Sequence, residues 1–191
     1  MRLFTGRGDR GETDLLGARV GKTDPRIEAI GALDEASSAI GLARAVVGRE
    51  RTRLDLVETQ RDLYKIMAEL AFTTEHYPER VEIGPDRLTW LEAETDALMA
   101  EVPPLREFVL PGETAAGAAL DWARVMARRA ERRVVAVAEA GEAGGGGGVR
   151  NPNVLPYLNR LSSILFALAR WEEHEAGEAP IVAKTGEHAG G

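Results

Sequence analysis

One segment near the C-terminal end, residues 153–174, constrains the fold more than any other. Its apolar residues recur in a heptad-like stripe that consists of Val154, Leu158, Leu161, Leu165 and Leu168. A helix with such a stripe needs a partner that covers it. We therefore expect this segment to be one helix of a helical bundle.

Apolar residues at helical spacing, separated by proline and glycine breaks, indicate four more helices. We predict them at about 25–47, at about 50–76, from just after residue 86 to 102, and from 113 to about 140. No strand pattern or βαβ alternation competes with this interpretation. The predicted fold class is all-α, a five-helix bundle with ferritin-like, up-down packing.

A tract with five consecutive glycines, within 141–148, has a composition typical of a domain linker. Only about 40 residues follow it, too few for an independent core. We therefore predict a single domain, 1–175, in which the glycines join the last two helices. The small and polar residues 176–191 are expected to form a mobile tail.

Composition excludes several classes of function. The 191 residues carry a net charge of −7, which argues against general nucleic-acid binding, and the absence of cysteine excludes thiolate catalysis and Cys-ligated metals. The histidines, His76, His174 and His188, have no metal-ligand spacing. No signal region or membrane span is apparent. We expect a cytoplasmic protein with neither a nucleic acid nor a membrane as partner.

The N-terminal segment 5–13 contains three glycines and two threonines, and Arg19, Lys22 and Arg26 follow it. Glycine lets backbone N–H groups approach an anion closely, and hydroxyl and cationic side chains add donors. We predict a phosphate-binding loop at 1–24, although the spacing is not that of a P-loop. An ordinary surface loop is the alternative.

Arginines cluster on the fourth predicted helix, on two neighbouring faces. One face holds Arg124, Arg128, Glu131 and Arg132, and the other holds Arg129 and Arg133 with Trp122 and Met126. A solvated surface with helical ion pairs, such as Arg128 with Glu131, is one interpretation. Binding of a polyphosphate, which would relieve the repulsion between the arginines, is the other.

Two further positions are candidates for a site. Asn159 lies near the start of the last helix, where the helix dipole favours anions, although such residues usually only cap. Asp34 is either a surface charge or, if it turns inward, a partner for Arg124. No Ser/His/Asp set, zinc pattern or close carboxylate pair is evident. This favours simple binding, or a reaction whose reactive atom belongs to a cofactor.

Four blocks in order, extending from about residue 4 to 170, resemble the PduO-type ATP:cob(I)alamin adenosyltransferases, also called corrinoid adenosyltransferases. The blocks are TGRGDRGET at 5–13; KTDPR at 22–26 with GALDE at 31–35; FVLPG at 108–112 with AR at 123–124 and RRAER at 128–132; and YLNRLS at 157–162 with LF at 165–166 and AR at 169–170.

The resemblance implies an enzyme that transfers the 5′-deoxyadenosyl group of ATP to the cobalt of cob(I)alamin and releases triphosphate. It implies a homotrimer with active sites between subunits, Mg²⁺ on the ATP phosphates, and no metal ligand from the protein. A reductase and an adenosylcobalamin-dependent enzyme are implied as partners. Co(I) is the nucleophile, so the protein has to supply positioning and charge stabilisation.

The resemblance also implies roles for individual residues. The expected triphosphate-binding residues of the loop are Thr5, Gly6, Arg7, Gly8, Thr13 and Lys22. Arg128, Glu131 and Arg132 are expected to complete the ATP site from the neighbouring subunit, and Asn159 to contact the nucleotide.

Phe108 resembles the aromatic residue that crowds the lower face of the corrin, displaces the axial ligand and eases reduction of Co(II) to Co(I). Without the resemblance, Phe108 would be interpreted as an ordinary core residue. Asp34 and Arg124 resemble an intersubunit ion pair of the family. With Arg128, these are the expected catalytic residues.

The chain departs from the usual family pattern at four positions. Glu113 replaces a glycine, Asp121 a histidine, Ser37 an asparagine and Ser163 an aspartate. Asp121 and Ser163 flank the helices that are expected to face the corrin, so these changes concern corrinoid binding more than ATP binding. A module that binds ATP or adenosylcobalamin for delivery or sensing, and a purely structural bundle, are the alternatives to an enzyme.

Overall fold

The computed structural model describes residues 6–73, 82–144 and 148–184, and side chains within these ranges except at 142–144. Five helices and one hairpin make up the described part: β1 (Glu12–Leu15), β2 (Ala18–Gly21), α1 (Pro25–Val46), α2 (Glu50–Ala71), α3 (Pro85–Glu101), α4 (Ala115–Gly144) and α5 (Val154–Glu175). The predicted all-α, five-helix bundle is confirmed.

The apolar stripe of α5 lies at the centre of the bundle. All five of its predicted members are fully buried. α4 packs against α5 on one flank and against α1 on the other, while α3 covers α5 and α2 covers α1. α4 and α5, the helices on either side of the glycine-containing tract, thus pack against each other.

The start of α1 shows why the helix boundaries could be predicted. The Asp24 carboxylate accepts a hydrogen bond of 2.9 Å from the backbone N–H of Arg26, and Pro25 occupies the first helical turn. An aspartate cap followed by proline is a preferred way to begin a helix, because the missing N–H of proline has no helical partner to lose. α1 begins at Pro25 as predicted, and this places the hairpin directly before it.

Two helix boundaries differ from the predictions. α2 ends at Ala71, not near residue 76, because Phe72 is extended and Thr73 turns to pair with the hairpin. α4 continues to Gly144, four residues beyond the predicted end near 140. Alanine and glutamate at 138–143 sustain the helix up to the glycines.

The hairpin of β1 and β2 is an element that the sequence analysis missed. It is antiparallel, with Thr13 opposite Val20, and its two-residue turn contains Gly17 with φ of 110°. Leu16, at the tip, exchanges backbone hydrogen bonds with the end of α2: its N–H donates to Ala71 and its carbonyl accepts from Thr73. The N-terminal segment is therefore fastened to the bundle.

A second pairing joins the C-terminal segment to the link between α3 and α4. The N–H of Leu110 donates to the carbonyl of Ile181 at 2.8 Å, and the N–H of Ala183 donates to the carbonyl of Phe108 at 2.7 Å. Nothing in the sequence pattern indicated this pairing within the expected tail. Residues 185–191 lie outside the described residues.

Candidate functional site

Tight backbone turns shape the glycine-rich loop before β1. Gly6 and Gly11 have φ of 74° and 79°, a backbone conformation that residues other than glycine rarely adopt. The N–H of Gly11 donates to the carbonyl of Gly8, and the N–H of Lys22 donates to the carbonyl of Gly11 at 2.8 Å. A Cβ at Gly8 would lie 3.3 Å from the Nζ atom of Lys22, so glycine at this position leaves room for the lysine.

The three cations after the loop have different roles in the structure. Arg19 is held by Glu12, Asp14 and the carbonyl of Arg7, at 2.7–3.0 Å. The hydrogen bonds to these two carboxylates raise its pKa. Arg19 therefore fastens the hairpin and the loop together.

Arg26 points to the end of α2, where it donates to the carbonyls of Leu70 and Phe72 at 3.2 Å. Partial burial, followed by repulsion from Arg150, lowers its pKa. Lys22, by contrast, forms no ion pair among the described residues and lies beside Gly8. Of the three cations, Lys22 is the one presented for a ligand.

Lys22 and Thr13 line a cavity of about 380 Å³ between the hairpin, α1 and α4. On the α4 side it is lined by Arg129 and Arg133, not by Arg128 or Arg132. Arg129 forms an exposed ion pair of 3.1 Å with Glu35 of α1. Within one chain, Thr13 and Lys22 of the predicted phosphate-binding segment thus face the side of α4 that carries Arg129 and Arg133.

The other arginine face of α4 is exposed and associates with α5. The Arg132 guanidinium donates to the carbonyl of Arg128 at 3.0 Å, and the Asn159 amide donates to the Glu131 carboxylate at 3.0 Å. The predicted helical pair between Arg128 and Glu131 is absent from the described residues, because Glu131 bonds to Asn159 instead. Arg128 is exposed. The structure thus brings together Glu131 and Asn159 from two helices.

α4 separates these two groups of predicted phosphate-binding residues. Arg129 reaches α1 through Glu35, whereas Glu131 reaches α5 through Asn159. The loop with Lys22 precedes α1 and shares the cavity on the α1 side. One chain therefore presents two half-sites on different flanks of a helix. We call them the loop half-site, with Thr13 and Lys22, and the helix half-site, with the four residues Arg128, Glu131, Arg132 and Asn159.

Phe108 lines a second, larger cavity, of about 750 Å³, together with Arg124 and Phe166. We call it the aromatic cavity. The Phe108 side chain is 87% exposed, although large apolar residues are usually buried. The interpretation of Phe108 as an ordinary core residue is therefore wrong. Its backbone is held by the pairing with Ala183.

Asp34 is exposed on α1 and lines a shallow depression with the exposed side chains of Leu42 and Trp122. It does not turn inward, and it does not pair with Arg124 within the chain. Arg124 binds Asp121 instead, with an Nε to Oδ1 distance of 2.8 Å. An ion pair between Asp34 and Arg124 would have to join two chains, so it stays a prediction.

A buried charge cluster, which the sequence analysis did not predict, lies between α4 and α5 beside the aromatic cavity. It contains Asp121, Arg170 and Glu173, with Arg124 at its edge. Arg170, on α5, is only 2% exposed. The departure of Asp121 from the family pattern was the available signal, because a buried carboxylate requires a cation.

Several predictions concern features that the described part does not contain. Thr5, His76 and His188 lie outside the described residues. Within the described ranges, no three His, Asp or Glu side chains lie close enough together to hold a metal ion. None of the helices described has the length and apolar character needed to cross a bilayer.

The fold and the two cavities define a helical-bundle protein with cations and a hydroxyl at one cavity and an exposed phenylalanine at the other. Residues 3–172 match the model of a family described as cobalamin adenosyltransferase. The chain is 42% identical over 189 residues to corrinoid adenosyltransferase PduO of Citrobacter freundii, and 39% identical over 174 residues to a corrinoid adenosyltransferase of Bacillus subtilis. The chain belongs to the cobalamin adenosyltransferase family.

Coverage differs between these relatives. The match includes 98% of this chain but 54% of the Citrobacter protein, so the chain spans about half the length of that relative. It includes 89% of this chain and 86% of the Bacillus protein.

Solved structures of variants of a PduO-type adenosyltransferase from Lactobacillus reuteri superpose on this fold. One was solved with ATP and another with cobalamin and ATP. Both have a TM-score of 0.84 and 29% sequence identity. They cover 95% and 96% of this chain, and 100% of their own chains.

Proposed function

We propose that this protein transfers the 5′-deoxyadenosyl group of ATP to the cobalt of cob(I)alamin. In this reaction Co(I) donates its electron pair to C5′, the cobalt–carbon bond forms, and the bond between C5′ and the triphosphate oxygen breaks. Triphosphate leaves with the bonding electrons. The reaction requires no protein nucleophile, so the protein contributes orientation and stabilisation of the leaving charge.

The observation that carries this proposal is the division of the phosphate-binding residues between two flanks of α4. Thr13 and Lys22 face α1, whereas Arg128 and Asn159 lie on the other side. A triphosphate that uses both groups has to be bound between two chains. This is the arrangement expected for a cyclic oligomer whose interface repeats the same contact, and we propose a homotrimer.

In this proposal the loop half-site binds the triphosphate of ATP through backbone N–H groups, Thr13 and Lys22. Gly6, Arg7 and Gly8 form the turn that carries those N–H groups, and Thr5 is expected from the family resemblance to bind the triphosphate as well. The helix half-site of the neighbouring chain adds Arg128 and Arg132, whose guanidinium groups bind phosphate oxygens bidentately. Mg²⁺ is bound by the phosphates and reduces their repulsion.

Glu131 and Asn159 have a supporting role in the helix half-site. Their hydrogen bond of 3.0 Å fixes the amide at the surface where the nucleotide is expected. The side-chain oxygen of Asn159, Oδ1, also accepts a hydrogen bond of 3.3 Å from the guanidinium group of Arg160. The amide is thereby oriented before ATP binds, which reduces the entropy lost on binding.

The aromatic cavity is the proposed corrinoid site. Its exposed Phe108 provides an apolar surface against the lower face of the corrin, where it excludes the axial ligand and favours reduction of Co(II) to Co(I). Arg124 provides a cation at the same wall, and Asp34 of the adjacent chain is its proposed partner across the interface. The exposed Leu42 and Trp122 near Asp34 fit such an interface.

The proposal is tested with the purified protein under anaerobic conditions. ATP, Mg²⁺ and chemically reduced cobalamin are added, and formation of a light-sensitive cobalt–carbon spectrum is recorded. We expect turnover to depend on both ATP and the reduced corrinoid. If ATP binds but no product forms, the enzyme proposal is wrong and the chain is a binding or delivery module.

An Arg128→Ala variant tests the helix half-site. We expect a loss of turnover of at least about 100-fold, because a charge-assisted contact to the leaving triphosphate is removed. The trimer should remain intact in size-exclusion chromatography, since Arg128 is exposed. The matched control is Arg61→Ala, which removes an exposed arginine of α2. Wild-type rates in Arg128→Ala would remove this residue from the site.

A cytoplasmic location, a reductase that supplies the electron, and an enzyme that uses the adenosylated product remain predictions of this proposal. The two enzymes follow from the chemistry. Co(I) needs a strong reductant, and the product is a cofactor for other reactions.

A further inference from the structure

The buried charge cluster next to the aromatic cavity depends on one carboxylate. Asp121 is 6% exposed, and its two oxygens bind different arginines. Oδ1 accepts a hydrogen bond of 2.8 Å from Nε of Arg124, and Oδ2 accepts one of 2.6 Å from Nη2 of Arg170. A carboxylate is an acceptor at both oxygens, whereas an amide would turn an NH₂ group towards one of the two guanidinium groups.

Of the two arginines that Asp121 binds, one lines the aromatic cavity and the other contacts a residue that lines it. Arg124 lines the cavity directly. The guanidinium carbon of Arg170 lies 5.4 Å from the ring centroid of Phe166, which also lines it. An arginine at this distance from an aromatic ring is attracted to it. Asp121 therefore fixes two side chains of the cavity wall without lining the cavity.

Glu173 belongs to the same cluster but has different contacts. It pairs with Arg170 at 3.0 Å and has no contact with Arg124 among the described interactions. Burial raises the pKa of Glu173, the attraction of Arg170 opposes this, and repulsion by Asp121 adds to it. Gly117 lies against the Glu173 carboxylate with no space for a Cβ atom. Glu173 thus supports the cluster from the side away from Arg124.

We propose that Asp121 is a positioning residue for the corrinoid: through Arg124 and through Arg170 on Phe166, it sets the shape and charge of the aromatic cavity. This inference rests on the proposed function, because it takes the aromatic cavity as the corrinoid site. No residue of the two ATP half-sites belongs to the cluster, so we expect Asp121 to affect corrinoid recognition more than ATP recognition.

An Asp121→Asn variant of the 191-residue protein tests this inference. We expect the KM for cob(I)alamin to rise roughly tenfold, while the KM for ATP and kcat at saturating corrinoid change by less than about twofold. The matched control is Glu173→Gln, a change of the same kind in the same buried cluster. It should lower the thermal midpoint in a similar way and leave the KM for cob(I)alamin unchanged.

Binding is measured separately from turnover, by spectral titration of cob(II)alamin into the protein with ATP present. Weaker binding to Asp121→Asn than to Glu173→Gln supports the inference. Equal binding to both, or an unchanged KM in Asp121→Asn, shows that the cluster is only structural. If Asp121→Asn does not fold, Asp121→Ser, whose smaller side chain leaves space for water, is used with the same expectations.

The titration also separates the two proposals. A wild-type protein that binds cob(II)alamin but forms no adenosylated product refutes the proposed function. The comparison of Asp121→Asn with Glu173→Gln in that titration still decides the role of Asp121.

Discussion

Asp55 on α2 is a buried carboxylate whose protonation affects stability. It is 8% exposed, and its Oδ2 atom has no hydrogen-bond partner among the described residues. Burial, and secondarily repulsion by Glu94, raises its pKa from 3.8 to about 6, while Arg51 opposes the shift. The folded state therefore binds this proton more tightly than the unfolded state.

The sign of the resulting pH dependence follows directly. Below pH 3.8 Asp55 is protonated in both the folded and the unfolded state, and its burial as a charged group does not reduce the free energy of unfolding. As the pH rises from 3.8 to about 6, the unfolded state loses the proton first, so stability falls, and above pH 6 the penalty is complete. We expect Asp55→Asn to raise the free energy of unfolding at pH 7.5 by roughly 1–2 kcal/mol, less than the whole shift implies, because the amide is still desolvated.

Urea denaturation at pH 7.5, 5.5 and 4 measures this effect. The gain from Asp55→Asn should decrease as the pH falls. Asp96→Asn, at an exposed aspartate of α3, is the control and should stay within about 0.5 kcal/mol of wild type at every pH. A gain from Asp55→Asn that is independent of pH would show that folding does not raise the pKa of Asp55.

Phe108 combines a large exposed apolar surface with a backbone fixed by pairing to the C-terminal segment. Because it buries little surface within the chain, Phe108→Ala should change the free energy of unfolding by less than about 0.5 kcal/mol. We expect its rate from Co(II) with a reductant to fall much more than its rate from pre-reduced Co(I), since the aromatic ring assists the reduction.

The control for Phe108→Ala is Tyr64→Ala, which removes a 66% exposed aromatic side chain from α2. Stopped-flow spectra recorded from both cobalt states provide the two rates. Equal losses from Co(II) and Co(I) would contradict a role in reduction and indicate that Phe108 only binds the corrin.

At the level of elements, the five helices were predictable because each has its own local signals. Asp24 and Pro25 start α1, the prolines at 103 and 104 follow the end of α3, and the stripe leucines of α5 recur at alternating intervals of three and four residues. The end of α2 was missed because it is set by Leu16 of the hairpin, 57 residues before Thr73. A contact at that separation leaves no local pattern in either segment.

The hairpin and the pairing at Phe108 show the same limit of prediction from sequence at the site: contacts between distant residues leave no local pattern. Four-residue strands are too short for an alternation to be recognised, and the bridge from Val109 to Val182 joins residues far apart in the chain. The sequence did predict which residues carry charge and hydroxyl groups. It could not indicate that Arg19 would form ion pairs with Glu12 and Asp14 while Lys22 lines the cavity.

The family resemblance assigned roles to more residues of the site than helical periodicity alone could. Helical geometry placed Arg128 and Arg129 on neighbouring faces, but only packing shows that one face meets α1 and the other α5. The same packing replaces the helical Arg128 to Glu131 pair with the contact to Asn159. Asp121 was noticed as a departure, yet its contact with Arg170 required the crossing of α4 and α5.

For the whole molecule, the proposed homotrimer would make activity a property of the assembly. In the proposed ring of three chains, each site uses the loop of one chain and the helix half-site of the next. Lys22→Ala inactivates the loop contribution of a chain, and Arg128→Ala inactivates its helix contribution. Each variant alone should therefore be inactive in all three sites.

Mixed trimers of the two variants test this arrangement directly. In a trimer of either composition, exactly one junction combines an intact loop with an intact helix half-site, so we expect about one third of the wild-type activity. The variants are coexpressed with different affinity tags, and the mixed trimers are isolated by two successive purifications. Cob(I)alamin adenosylation by these trimers is then compared with that of each parent trimer.

The control places both defects on the same chain, so that the variant chains cannot complement each other. Trimers of wild type with the Lys22→Ala/Arg128→Ala double variant should keep about one active site when two chains are wild type and none when one is. If the whole site lay within a single chain, Lys22→Ala and Arg128→Ala chains would not complement each other, and mixed trimers would be as inactive as their parents. Recovery to about one third therefore requires that Lys22 and Arg128 act on the same ATP from different subunits.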